Sequence, residues 1–275
     1  MPDSSTVVIG AGIGGLAAAI ELAAAGLPVT VLEAQSAAGG KIRSAATAAG
    51  PTDVGPTVLT MSWIFDEILS RSGKTLAERV PLQSCEILAH HRWQDGSRFN
   101  LYADVQRSID SVGSFAGRQA ADEYRTFCLA AQRAFDALSE KFMRVPQPGL
   151  LGLACKSGLR GLRDTAHMQP FVSLWRSLEK HFSDTRLRQL FARYATYCGS
   201  SPFRAPATLM LIAHAEQRGV WTLKGGMSSL ATALTDAARE LGVQFEFDAR
   251  VTRISARGGR VTGVELADGR ALASS

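Results

Sequence analysis

Within the stretch VVIGAGIGGLAAAIEL, Val7 to Leu22, the residues Gly10, Gly12 and Gly15 stand at G-x-G-x-x-G spacing, and an acid, Glu33, follows Gly15 by 18 residues. The chemistry open to such a set is the binding of a dinucleotide. Gly10 allows a tight turn, Gly12 lets backbone approach a pyrophosphate, and Gly15 lets a helix pack closely on a strand. Gly14 is the one glycine here that the fingerprint does not require. A helix opening at this point directs free N–H groups and about half a positive charge at the phosphates. Glu33 is placed to accept hydrogen bonds from ribose hydroxyls, and an acid there disfavours a 2′-phosphate, which argues against NADP. These residues alone leave FAD and NAD both open.

The elements that must position this set follow from local pattern. Thr6 to Ile9 is a β-branched apolar run, Gly14 to Ala25 is alanine-rich and ends at Gly26, and Val29 to Leu32 is a second apolar run. That order is a βαβ unit with Glu33 at the carboxyl end of its second strand.

After the acid, Gly39 and Gly40 precede Lys41 and Arg43, and Gly55-Pro56-Thr57 follows within DVGPTVLT. The two cations are suited to neutralising a pyrophosphate, and Gly55-Pro56 makes a rigid turn that can lie against a planar ring. Far downstream, WTLKGGMSSLATALTDAARELGVQFEFDARVTRI reads as strand, Gly225-Gly226 turn, helix and two strands, with Leu230, Leu234, Ala237 and Leu241 at helical spacing.

On these motifs the sequence resembles the FAD-dependent amine oxidase and phytoene desaturase superfamily. The resemblance implies that FAD is the cofactor. It implies a glutathione reductase-like Rossmann domain, an α/β fold interrupted by an inserted α+β substrate lobe. The expected organisation is residues 1–80 for the first flavin part, 81–220 for the lobe and 221–275 for the return. The cofactor contacts so implied fall on Gly10, Gly12, Ile13, Gly14 and Gly15, on Glu33 and Ala34, and on Gly40, Lys41 and Arg43. Gly55, Pro56, Thr57 and Val58 would wrap the flavin, and the backbone at Val251 would meet the adenine. The stretches AAGPTDVGPTVLTMSWIFDEIL and RLRQLFARYATYCGSSPFRAPATLMLIAHAEQRGVW further resemble bacterial carotenoid desaturases, in particular the 1-hydroxycarotenoid 3,4-desaturases, also called methoxyneurosporene or hydroxyneurosporene dehydrogenases. Such an enzyme takes a lipophilic acyclic carotenoid. Three alternatives stay open: a phytoene desaturase-type carotenoid desaturase acting at another position, a different oxidoreductase of the flavin amine oxidase superfamily, or an inactive flavin-binding fragment. In the family a glycine-rich C-terminal segment completes the flavin site. The resemblance makes this chain look like an N-terminal fragment, expected to bind FAD weakly and turn nothing over alone.

The middle of the chain offers a hairpin in EILAHHRWQDGSRFNLY, with its turn at Asp95-Gly96. Gln119 to Met143 reads as an amphipathic helix on the recurrence of Tyr124, Phe127, Ala131, Phe135, Leu138 and Phe142. An aromatic face of this kind is more often a core than a binding surface, although a polyene tunnel would use the same residues. Residues 145–165 combine leucines with Lys156, Arg160 and Arg163, a pattern that suits peripheral attachment to a membrane surface and a buried helix with solvated basic residues equally.

The rest of the composition excludes more than it implies. The 275 residues are 46% hydrophobic and 20% charged, ordinary for a globular protein, and the net charge of +5 is dispersed, which gives no footprint for nucleic acid. Cys85, Cys128, Cys155 and Cys198 lie far apart, without the spacing of a zinc site or disulfide framework, and read as buried thiols in a reducing compartment. The expected location is cytoplasmic, with peripheral membrane association. His90, His91, His167, His181 and His214 show no metal-binding spacing, and no G-x-S-x-G elbow occurs, so hydrolase and metalloenzyme readings fall away. No side chain stands out as a catalytic base, and nothing indicates an oligomeric state.

Overall fold

The computed structural model describes residues 6–139 and 172–274. The chain divides into two compact units, residues 1–84 with 221–275 and residues 85–220.

The first unit opens with β1 (Thr6–Ile9), α1 (Ile13–Ala24) and β2 (Val29–Leu32), the βαβ order expected from the β-branched runs and the alanine-rich segment between them. Gly26, at φ +84°, ends the helix in the left-handed conformation that glycine adopts without strain. The strands are parallel, in register from Thr6 opposite Val29 to Ile9 opposite Leu32. A hairpin of β3 (Ser44–Thr47) and β4 (Gly50–Asp53) comes next. It is followed by β5 (Leu59–Thr60), α2 (Ser62–Leu69), α3 (Leu76–Arg79) and β6 (Leu82–Ser84). The boundary of the unit falls after Ser84 rather than after residue 80, because β6 pairs with the returning strand, Leu82 to Leu223 and Ser84 to Trp221.

The second unit begins with the hairpin β7 (Ile87–Arg92) and β8 (Arg98–Tyr102). Its turn differs from the two-residue Asp95-Gly96 turn expected. Trp93 and Ser97 close the loop through an N–H···O bond of 3.0 Å, and only Gly96 takes a positive φ, +82°. Asp95 instead accepts the Ser97 N–H on its carboxylate at 2.9 Å, so its side chain shapes the loop without entering the left-handed region. Then follow α4 (Val105–Ala116), α5 (Arg118–Leu138), α6 (Leu174–His181), α7 (Thr185–Ala192), two short 3₁₀ segments at Arg193–Cys198 and Ala207–Met210, and α8 (Leu211–Gln217). Asp104, Ser173 and Asp184 cap α4, α6 and α7 by accepting the N–H groups of Arg107, Arg176 and Arg186.

Over the described part of the helix expected at residues 119–143, the aromatic face is a core. Tyr124, Phe127 and Phe135 of α5 are buried, and Phe127 packs on Phe191 and Phe182 with ring centroids 4.7 and 5.1 Å away. Phe182 and Phe191 stack on each other at 5.1 Å and 14°. Phe142, Met143 and the basic leucine-rich stretch 145–165 lie outside the described residues. Among the described residues, no helix is long and apolar enough to cross a membrane.

The chain returns to the first unit through β9 (Val220–Leu223), α9 (Ser228–Glu240), β10 (Gln244–Glu246), β11 (Val251–Arg257), β12 (Arg260–Leu266) and β13 (Ala271–Ala273). β10 pairs in parallel with β2, giving the sheet order β1-β2-β10. Helices α1 and α9 share one core, where Leu16, Ile20, Leu230 and Leu234 are fully buried. At about 2 kcal/mol for each such leucine or isoleucine, this core is what anchors the helix that carries the glycine turn.

Candidate functional site

The first unit assembles the site from backbone more than from side chains. Gly10 turns the chain out of β1 at φ +95°, and its N–H donates to the Leu32 carbonyl at 2.7 Å. Gly12 precedes α1 at φ −71° and ψ 174°, with no side-chain cap, so the first N–H groups of the helix remain available to a ligand. A Cβ on Gly12 would meet nothing closer than the Gly40 Cα at 4.0 Å, whereas one on Gly15 would lie 1.9 Å from the Gly10 carbonyl oxygen. Gly12 is the open member of the pair and Gly15 the packing member. Gly14 is exposed, with nothing within 4 Å of its Cβ direction, and Ile13 is half-buried.

Glu33 is buried, with its charge met by two backbone donors. Its Oε2 accepts the Ala11 N–H at 2.6 Å and its Oε1 accepts the Gln35 N–H at 2.9 Å. A carboxylate has about four acceptor positions, so capacity remains for ribose hydroxyls. The end of β2 is held by 246–249: Glu33 donates to Glu246, Ala249 to Glu33 and Asp248 to Gln35. Asp248 makes this turn at φ +55°. Val251 follows, half-buried and packed in a cluster with Leu32 and Ala249, while Ala34 lies half-buried beside Glu33.

The second glycine pair lies directly on the first turn. Gly39 donates to the Ala11 carbonyl at 2.8 Å, and a Cβ on Gly40 would come within 3.1 Å of the Gly12 Cα. Lys41 and Arg43 present exposed side chains on either side of buried Ile42. The third loop leans on the second: a Cβ on Gly55 would sit 2.1 Å from the Lys41 carbonyl oxygen, and Val54 donates to the Arg43 carbonyl at 3.0 Å. Pro56, Thr57 and Val58 are exposed beside it. Gly10, Gly12, Gly15, Gly40, Lys41 and Gly55 are thus linked by direct backbone contact, and Glu33 reaches them through Ala11. This cradle of uncapped N–H groups, side-chain-free turns, two exposed cations and a buried acid with spare acceptors fits a dinucleotide.

Of three further residues here, Ala11 and Asp53 were not singled out from sequence, and Gly39 was named there only as one of a pair. Ala11 uses its N–H on Glu33 and its carbonyl on Gly39. Gly39 is barred from a side chain by the Ile42 carbonyl, 2.3 Å from its Cβ direction. Asp53 accepts the N–H of Met227 at 2.9 Å. The pairing of Gly39 with Gly40 was a signal for the second of these; a bond spanning 174 positions left none for the third.

The second unit contributes a different polar feature. The Glu216 carboxylate, 5% exposed, receives both Nη groups of Arg193, at 3.2 and 2.6 Å, and the hydroxyls of Tyr194 and Tyr197 at 3.1 and 3.0 Å. Burial pushes both tyrosine hydroxyls upward in pKa, so they stay protonated donors. With its acceptor positions filled, this carboxylate is a clasp and not a base. Among the described residues, no group of His, Cys, Asp and Glu is arranged to hold a metal.

The βαβ unit, its acid and the glycine cradle define a dinucleotide-binding protein of the Rossmann class. The sequence matches the flavin containing amine oxidoreductase family over residues 13–274, and the chain belongs to that family. A flavin carried on a dinucleotide is FAD, which resolves the choice that the fingerprint left between FAD and NAD. The chain is 44% identical over 267 residues to a hydroxyneurosporene desaturase of Rubrivivax gelatinosus, covering 97% of this chain and 51% of that protein. It is 46% identical over 266 residues to one of Cereibacter sphaeroides, covering 97% and 54%. The chain therefore spans about half the length of these relatives. Among solved structures, an oxidoreductase from Methanosarcina mazei shares the fold at a TM-score of 0.63 and 19% identity, over 98% of this chain and 57% of the other. Putrescine oxidase bound to putrescine shares it at 0.62 and 16%, over 98% and 56%.

Proposed function

We propose that this protein is an FAD-dependent carotenoid desaturase that introduces a C3–C4 double bond into an acyclic 1-hydroxycarotenoid. The observation that carries the reading is the gradient of similarity. Three hydroxyneurosporene desaturases match at 42–46% identity, against 33% for a 4,4′-diapolycopene oxygenase and 32–33% for phytoene dehydrogenase and desaturases, all across nearly the whole chain.

In this reading the turn from Gly10 to Gly15 and the start of α1 bind the pyrophosphate, with Lys41 and Arg43 neutralising its charge. Glu33 accepts the ribose hydroxyls, Ala34 and Val251 border the adenosine, and Gly55-Pro56-Thr57-Val58 borders the ring. FAD when bound supplies the acceptor for the hydride removed from the substrate. The residues of this chain bind and orient it. The test is to express the full gene in cells that accumulate hydroxyneurosporene and to record the pigment spectrum. A shift to longer wavelength is expected from the added conjugation; an unchanged spectrum refutes the assignment.

The substrate class also motivates peripheral attachment to anionic lipid through residues 145–165, with Leu150, Leu151 and Leu153 toward the acyl chains and Lys156, Arg160 and Arg163 toward the phosphates. Sedimentation with anionic liposomes tests it. Binding is expected to fall when the three cations are changed to glutamate, and unchanged binding counts against it.

A further inference from the structure

The turn Gly55 to Val58 is held from two sides by backbone, and one side chain adds to the second. On the Lys41 side, Gly55 lies against the Lys41 carbonyl and Val54 bonds the Arg43 carbonyl. On the other side β5, directly after Val58, pairs with β9, and one carboxylate adds a contact to the glycine turn that follows β9. Asp53, the last residue of β4, places Oδ2 2.9 Å from the Met227 N–H, immediately before α9. A Cβ on Gly226, which sits at φ +82°, would lie 2.9 and 3.0 Å from the two carboxylate oxygens. The carboxylate therefore rests flush on backbone that glycine alone leaves open. It also occupies the N-terminal end of a 13-residue helix, where a negative charge is favoured. α9 is fixed in its turn against the second glycine pair, since the Ala231 Cβ is 3.3 Å from the Cβ direction of Gly39.

We infer that Asp53 is a positioning residue that sets the Gly55–Val58 turn for the flavin ring and makes no direct contact at the adenosine diphosphate end. The inference rests on the FAD reading above, which puts this turn at the ring. Asp53 stands two residues from the turn. Glu33 and the Gly10–Gly15 segment, which serve the other end, make no hydrogen bond to it among the described residues.

The experiment compares FAD with ADP, which carries the adenosine, ribose and pyrophosphate but no ring, as ligands of the 275-residue chain. Losing a hydrogen bond to a charged group is expected to weaken FAD by about tenfold in Asp53→Ala, with ADP affinity kept within about twofold. Asp53→Asn retains an acceptor for the Met227 N–H and is expected to bind FAD like the wild type. Equal loss of both ligands in Asp53→Ala, or no loss of FAD, overturns the role, because a merely structural defect does not distinguish them. If Asp53→Ala does not fold, Asp53→Glu keeps the carboxylate but, with one more methylene, cannot rest it on the same backbone. The same FAD-selective loss is then expected, and a loss for both ligands or for neither refutes the role. A wild-type chain that binds ADP but not FAD removes the FAD reading itself, and this role with it.

Discussion

Replacing Gly12, Gly14 and Gly15 one at a time by alanine should give three different outcomes from one chemical change. At Gly14, inside α1, the new methyl meets no atom within 4 Å, so the helix gains about 0.5–1 kcal/mol of stability from alanine, or roughly 1–4 °C in Tm. At Gly12 the backbone already has angles open to any residue, and the nearest atom is 4.0 Å away. Stability should therefore change by less than about 1 kcal/mol, while the methyl intrudes where the pyrophosphate sits and FAD binding weakens by about tenfold or more. At Gly15 the methyl would stand 1.9 Å from the Gly10 oxygen, and an ordinary carbon–oxygen contact needs roughly 3.3 Å. The two must part by well over an ångström. The Gly10 side resists, since its N–H is bonded to Leu32 at 2.7 Å, and overpacking of this kind costs about 1–3 kcal/mol, reversing the sign expected for alanine in a helix. Thermal denaturation of the ligand-free variants and fluorescence titration with FAD separate the three. A Gly15→Ala chain as stable as the wild type, or a Gly12→Ala chain with wild-type FAD affinity, refutes the division of labour between packing and ligand approach.

Glu33→Gln keeps the size of the side chain but offers one acceptor oxygen where two backbone N–H groups need one each. The orphaned donor should cost about 1–3 kcal/mol even without ligand, and an unchanged melting temperature would contradict the role of Glu33 in holding the turn at Ala11. In the second unit, burial lowers the pKa of His181, which lies edge-on to Phe127 at 5.5 Å, with a smaller push from Lys180, and burial likewise lowers that of His91. Both folded values lie below the unfolded value of about 6.5, so the unfolded chain takes up protons first. Stability present above that pH should be lost progressively as pH falls below it, and His181→Gln should flatten a plot of Tm against pH; identical slopes would exclude His181.

The βαβ unit was readable because its signals are local: β-branched runs, an alanine-rich helix, and glycines whose spacing is itself the requirement. The strands Thr6–Ile9 and Val29–Leu32 fall where the pattern puts them, and α1 differs from the expected span by a residue at each end. Features that depend on distant partners were not readable. The face of Phe127 is a core because Phe182 and Phe191 close over it, and nothing within α5 announces them. The hairpin was legible but not its turn, since Asp95 can act through its side chain as well as through its backbone angles. Asp53 looks like any acid beside a Gly-Pro turn until Met227 is brought to it.

The clasp on Glu216 has a consequence for how the protein moves. By gripping Arg193, Tyr194 and Tyr197, it ties the start of the first 3₁₀ segment to α8 and closes the intervening chain into a loop fastened at both ends. Fraying from either end must first break charge-assisted bonds to a buried carboxylate, so partial opening is disfavoured. Residues 193–216 should therefore behave as a single cooperative block whose protected amides exchange with solvent together, in one rare event, rather than in a gradient along the segment.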